Sequence, residues 1–156
     1  MPERVRILDH PDRTCAFAQR LAPRLVAGDV LLLGGGVGAG KTHFARCLIR
    51  AQLPVPEDVP SPTYTLVQSY PWPECEIWHA DLYRLGDPAE VIELGLSEAF
   101  ETAICLVEWP DRLGDLAPEK ALSLDLAPGS AYETRHLTLS WSDPRWTDRL
   151  GGLCDD

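Results

Sequence analysis

The sequence predicts an α/β fold built on a mixed, largely parallel central sheet, and three observations predict it. Val30-Leu31-Leu32-Leu33 and Ala103-Ile104-Cys105-Leu106-Val107 are uninterrupted apolar runs, the pattern of parallel strands covered on both faces. Phe44, Cys47, Leu48 and Ala51 recur at i, i+3, i+4 and i+7 with His43, Arg46 and Arg50 on another face, which is an amphipathic helix placed between those strands. Towards the C-terminus, residues 121–126 and 136–141 alternate apolar and polar and meet across Pro128-Gly129, as in an antiparallel hairpin with one solvated face. A chain of 156 residues can bury a core without disulfide or metal staples, so a single domain over 1–150 with a short disordered tail at 151–156 is expected.

Taken in order, Val5-Arg6-Ile7-Leu8 is a short first strand. Asp9 or His10 then precedes Pro11, a favoured first helical residue, and Ala18, Leu21, Ala22 and Leu25 continue at helical spacing until Pro23 ends or kinks the helix. Gly28-Asp29 turns the chain into the first apolar strand. The stretch from Leu53 to Pro62 is too rich in proline for regular structure, whereas Thr63 to Tyr70 is β-prone. Pro71-Trp72-Pro73-Glu74 turns and Glu76 to Tyr83 returns, giving a hairpin. Asp87-Pro88 opens a short helix through Glu93 that stops near Gly95, and Ser97 to Phe100 add a further turn. The second apolar strand ends at Glu108-Trp109-Pro110. Asp143-Pro144 opens a last short helix, and Gly151 to Asp156 read as a frayed tail.

The first apolar strand and the amphipathic helix are joined by Gly35-Gly36-Val37-Gly38-Ala39-Gly40-Lys41-Thr42, which fits G-x-x-x-x-G-K-[ST]. Strand, glycine loop and helix form the geometry a phosphate needs. Glycines let successive N–H groups point inward at an anion, and the helix N-terminus adds partial positive charge. Lys41 is placed to reach the β- and γ-phosphates of a nucleotide, and the Thr42 hydroxyl to sit on Mg²⁺. The fold class is then a three-layer, P-loop NTPase-like domain with a nucleoside triphosphate and Mg²⁺ as its ligands. An acid at the end of a buried neighbouring strand handles the metal in such proteins, a position Glu108 fills. It would bind the ion directly or through water, or orient an attacking water.

Composition narrows the partners. The net charge is −10, with the acids concentrated in residues 57–119 and the basic residues in excess over 1–56. An acidic chain repels a nucleic-acid backbone, so tight independent binding to RNA or DNA is not expected. The acidic middle is either a solvated face or a docking surface for a basic partner. No apolar run approaches a membrane span, and Met1-Pro2-Glu3-Arg4 is not a signal peptide. The cysteines at 15, 47, 75, 105 and 154 are scattered, with no C-x-x-C, which reads as reduced thiols in a cytoplasmic protein without a zinc site. A guanine-reading N/T-K-x-D motif is absent, and Asp111-Arg112-Leu113-Gly114 matches D-x-x-G only by coincidence.

Four segments together carry a resemblance. The glycine loop, Ser61-Pro62-Thr63-Tyr64-Thr65-Leu66-Val67, His79-Ala80-Asp81-Leu82-Tyr83-Arg84-Leu85 and Leu106-Val107-Glu108-Trp109-Pro110 follow at spacings that resemble the TsaE (YjeE) family over roughly residues 9 to 140. Gly36 stands where members of that family usually carry an acid. The resemblance implies a bacterial ATPase required for threonylcarbamoyladenosine at position 37 of tRNA. It implies a TsaD-like carbamoyltransferase subunit and its TsaB-like paralogue as partners, with ATP hydrolysis resetting their complex. By position it implies Lys41 and Thr42 for phosphate and metal, Glu108 for the metal, and Asp81 as a needed acid facing a metal-bound water or the partner. Thr63 lies in the implied switch segment as a γ-phosphate sensor, and Trp109 is the aromatic beside the acid. Plainer readings stand beside these: Asp81 paired with Arg84, Thr63 as a strand start, Trp109 as packing, and His79 as a structural histidine. Two further function classes fit the loop alone, a small-molecule kinase and a nucleotide-sensing module that never hydrolyses ATP.

Overall fold

The computed structural model describes residues 2–36, 38–53, 59, 66–131 and 133–153. Its strands are β1 (Glu3–Leu8), β2 (Val30–Gly34), β3 (Val67–Trp72), β4 (Cys75–Asp81), β5 (Ile104–Glu108), β6 (Leu122–Pro128) and β7 (Arg135–Ser140). Its α-helices are α1 (Pro11–Leu21), α2 (Lys41–Arg50), α3 (Ala89–Glu93), α4 (Leu96–Thr102) and α5 (Arg145–Arg149). The strands form one sheet in the order β1-β7-β6-β2-β5-β4-β3. The central run β6-β2-β5-β4 is parallel, and antiparallel pairs close it at both edges. The mixed sheet and the C-terminal hairpin expected from the sequence are both present.

The parallel run explains the apolar strands. Leu31 and Leu33 of β2 and Ile104 and Leu106 of β5 enter the core under α1 and α2. Val30 and the residues between, Cys105 and Val107, enter a second core under α3 and α4. Successive side chains of a strand point to opposite faces, so a strand covered twice must be apolar at every position. All five residues of β5 are buried. Burial pushes the Cys105 thiol up to about 12, which leaves it protonated and unreactive.

Local signals set the ends. His10 is the N-cap of α1, its Nδ1 accepting from the Asp12 N–H at 3.1 Å, with Pro11 next. Pro23 converts the helix end into a 3₁₀ turn, Ala22–Arg24. The β3–β4 turn is tighter than expected: Pro71 and Trp72 stay in β3, Trp72 pairs with Cys75, and Pro73-Glu74 turns, with Glu74 at φ 69°. β3 is an edge strand, where a proline without an N–H is tolerated. The turn expected at Ser97 to Phe100 is a helix, α4, entered through Gly95 at φ 83°.

Two expectations are corrected. Cys15 on α1 and Cys47 on α2 are joined as a disulfide, with Cα atoms 5.2 Å apart, rather than carrying free thiols. The helices pack side by side, a juxtaposition that 32 residues of separation conceal. Residues 151–153, expected to begin a tail, are held in place. Leu153 is buried and its carbonyl accepts from Arg6 at 3.0 Å. Arg24 donates to the carbonyls of Arg149 and Gly151, at 2.6 and 3.0 Å, and buried Asp29 pairs with Arg145 and Arg149 of α5. Residues 154–156 lie outside the described residues. Among the described residues no helix is long and apolar enough to cross a membrane.

Leu106→Ala, emptying a site between β5 and the α2 layer, is expected to lower unfolding free energy by about 2–5 kcal/mol in urea denaturation. Ile92→Ala, on an exposed side chain of α3, is expected to stay within about 0.5 kcal/mol of the parent.

Candidate functional site

The loop after β2 begins with a glycine that geometry requires. Gly35 has φ 129°, and a Cβ there would collide with the Leu126 carbonyl oxygen of β6. Gly40, at φ 103°, is the N-cap from which α2 starts at Lys41. The first amides of a helix have no intrahelical acceptor, so those of α2 open into the loop. Arg135 of β7 braces the loop from behind, donating to the carbonyls of Ala39 at 3.1 Å and Gly38 at 3.3 Å.

Over the loop lies a cleft of about 400 Å³ lined by residues 38–43 together with Asp81, Tyr83, Glu108 and Trp109. Its chemistry comes from three elements. The β2–β5 register sets Leu33 opposite Glu108, and the β4–β5 register sets Asp81 opposite Glu108, so both acids stand at neighbouring strand ends beside the loop. Thr42 in the first turn of α2 donates its hydroxyl to the Glu108 carboxylate, 2.8 Å from Oε1 and 3.0 Å from Oε2. His79, fully buried on β4, completes the carboxylate's surroundings with Nε2 2.6 Å from Oε2. Asp81 Oδ1 accepts from the Tyr83 N–H at 3.1 Å, which turns the chain at the end of β4.

Lys41 folds back into the loop, its Nζ 2.6 Å from the Gly35 carbonyl oxygen and 3.4 Å from that of Gly36. The Trp109 ring covers it, 3.4 Å from Nζ to the ring centroid, and Tyr83 packs against the same ring. Burial pulls the Lys41 ammonium below the ordinary lysine value, and the carboxylates of Glu108, Asp81, Asp111 and Asp125 push it back up. Trp109 is held at φ 59°, a left-handed conformation costing a non-glycine residue about 1–3 kcal/mol that the surrounding packing sustains.

The structure thus brings Lys41, Thr42, Asp81, Glu108 and Trp109 into one cleft with Gly38, Ala39 and Gly40, and sets Gly35 and Gly36 at its base. Thr63 and Val37 lie outside the described residues. The sequence alone did not single out Tyr83 or His43, which line the cleft, or the bond of His79 to Glu108. His79 sits two residues before Asp81 on a strand, hence on the same face, and that period-two spacing was the available signal.

A strand, a glycine loop with its lysine and threonine at a helix N-terminus, and an acid at the end of the adjacent parallel strand define the phosphate-loop class of α/β proteins. The family profile for "Threonylcarbamoyl adenosine biosynthesis protein TsaE" matches residues 8–137. The TsaE protein of Rickettsia bellii is 38% identical over 120 residues, 77% of this chain and 83% of its own. That of Bacillus subtilis is 36% identical over 74% of this chain and 72% of its own, and that of Mycobacterium bovis 33% over 86% and 84%. The crystal structure of Bacillus subtilis YdiB superposes with a TM-score of 0.81 at 26% identity, over 97% of this chain and 94% of that one. The chain belongs to the TsaE family, which takes part in tRNA threonylcarbamoyladenosine biosynthesis.

Gly35→Ala is expected to lower the melting temperature by several degrees, because the new methyl meets the β6 backbone. Gly36→Ala, with no protein atom near its added Cβ, is expected to leave the melting temperature unchanged within error in thermal melts.

Proposed function

We propose that this chain is a Mg²⁺-dependent ATP hydrolase that serves tRNA threonylcarbamoylation by acting on a TsaD-like carbamoyltransferase subunit and its TsaB-like paralogue. The observation that carries this reading is the Thr42–Glu108 hydrogen bond beside Lys41. A hydroxyl and a carboxylate from separate elements converge where a nucleotide's β- and γ-phosphates would lie if they occupied the loop.

The donor set fits Mg²⁺. This ion prefers oxygen ligands and keeps several waters, needing one or two protein oxygens beside the phosphates rather than a protein cage. Thr42 and Glu108 would hold it, and among the described residues no larger cluster of ligating side chains competes. When bound, the ion supplies charge neutralisation at the phosphate oxygens.

The chain's own groups do the rest. The loop and α2 amides bind phosphate oxygens, and Lys41 exchanges its bonds to the Gly35 and Gly36 carbonyls for bonds to the anion, which favours its charged form. Asp81 and Glu108 orient water at the open side of the phosphates, and Trp109 and Tyr83 keep bulk water from the ammonium. Thr63 would sense the γ-phosphate from the switch segment. Lys41 is the cation among the described residues lining the cleft, so the partner is assigned the task of completing or ordering the site, and hydrolysis by the isolated chain is slow. The cellular setting that follows is the cytoplasm, where tRNA is modified, and the acidic chain reaches tRNA through its partner rather than by its own surface.

Lys41→Ala is expected to weaken ATP binding at least about 100-fold in calorimetry; unchanged affinity would remove the phosphate-loop assignment. Glu108→Gln is expected to leave ATP affinity in chelator within a few-fold, to lower the gain in affinity on adding Mg²⁺ about 10–100-fold, and to lower kcat by about 10²-fold or more. ATP turnover is expected to rise when the carbamoyltransferase pair is added. No stimulation, with normal modification of tRNA in cells lacking this protein, defeats the proposed role.

A further inference from the structure

His79 is a costly residue to bury for packing alone. It is fully enclosed on β4, on the face that meets α2, and its Nδ1 has no hydrogen-bond partner among the described residues. An unsatisfied buried polar atom costs about 1–3 kcal/mol, which an aliphatic side chain of similar reach would avoid. The opposite ring atom makes the short bond: Nε2 lies 2.6 Å from Oε2 of Glu108, between side chains that are 0% and 3% exposed. A carboxylate only accepts, so with Glu108 ionised the proton is on Nε2 and the imidazole donates.

The geometry points to His79 as the positioning residue for Glu108, holding Oε2 from within the sheet so that Oε1 stays beside Thr42 at the phosphate end of the cleft. The reason lies in the freedom of the side chain. Glu108 ends β5, and a glutamate has three rotatable bonds after Cα. Thr42 Oγ1 is within hydrogen-bond distance of both oxygens and therefore does not choose between them. His79 does choose. It comes from the adjacent strand, where it stands opposite Leu106, and contacts one oxygen only, which sets Oε2 as the oxygen that faces the sheet. A buried neighbour that orients a ligating group in this manner typically affects metal affinity or activity 10–100-fold when removed. Asp81, two residues along β4 on the same face, reaches the cleft itself, so one strand supplies both an acid in the cleft and the support behind its neighbour.

This inference rests on the Mg²⁺–nucleotide reading of the cleft, and the experiment separates the two. His79→Gln, which keeps an N–H at nearly the reach of Nε2, is compared in the full-length chain with His79→Asn, one methylene shorter, and His79→Leu, which has no donor. Calorimetry gives ADP affinity with Mg²⁺ and with chelator, steady-state assay gives kcat, and thermal melts report folding. For the Leu and Asn variants the expected result is cooperative melting and ADP affinity in chelator within about twofold of the parent. Their gain in affinity on adding Mg²⁺, and their kcat, are expected to fall about 10–100-fold, with most of the loss recovered by Gln. Equal defects in the Gln and Asn variants, or an unaffected Leu variant, would overturn the positioning role. If His79→Leu does not fold, the Gln–Asn comparison decides. A parent protein whose ADP affinity ignores Mg²⁺ and that never hydrolyses ATP would overturn the reading of the cleft and this inference with it.

Discussion

The parallel pairing of β2 with β5 is the constraint on which the rest of this structure depends. The two strands must lie side by side in a register that sets Leu33 against Glu108. Only then does the loop that leaves β2 rise next to the acid that ends β5, and only then can the first turn of α2 bring Thr42 to that acid. The register is enforced by burial. Each strand sends alternate residues into different cores, so a slip of one residue would exchange the two sets, and a slip of two would part Thr42 from Glu108. Hydrophobic packing, which has no chemistry of its own, therefore sets the position of every polar group in the cleft.

Those polar groups are expensive to enclose, and the structure offsets the expense within the cluster. Lys41, His79, Asp81 and Glu108 are all buried. Lys41 is satisfied by loop carbonyls and an aromatic face, Glu108 by Thr42 and His79, and Asp81 by the turn amide of Tyr83. Each contact places a partner where a charge would otherwise face an apolar wall. The residual cost is visible in the left-handed backbone of Trp109. That residue must leave a buried strand and at once lay its ring over the lysine, and Pro110 allows it no helical continuation in between.

Much of this was legible in the sequence because each legible feature is a local rule. Apolar runs announced β2 and β5, His10-Pro11 announced α1, and Gly35 to Thr42 announced a glycine loop between strand and helix, in which Gly35 leaves no room for a side chain. What escaped depends on neighbours distant along the chain. That β6 pairs with β2 in parallel, rather than only with β7, follows from crossovers that no local pattern encodes. The Cys15–Cys47 disulfide depends on the packing of α1 against α2. Residues 151–153 looked unconstrained because arginines at positions 6 and 24 hold them. The bond between His79 and Glu108 was hidden because the two residues are 29 apart along the chain and meet only once β4 and β5 are adjacent.

The sheet order also bears on how the protein comes into being. Synthesis proceeds from the N-terminus, so β2 and its loop leave the ribosome when neither of the strands that flank them yet exists. β5 arrives some seventy residues later, β6 later still, and Arg135, which grips the loop from behind, nearly at the end. A nascent chain cut short before the β6–β7 hairpin would own the whole glycine motif and lack one wall of its cradle. The full support of the glycine loop is thus acquired late, by translating a hairpin that packs behind the loop.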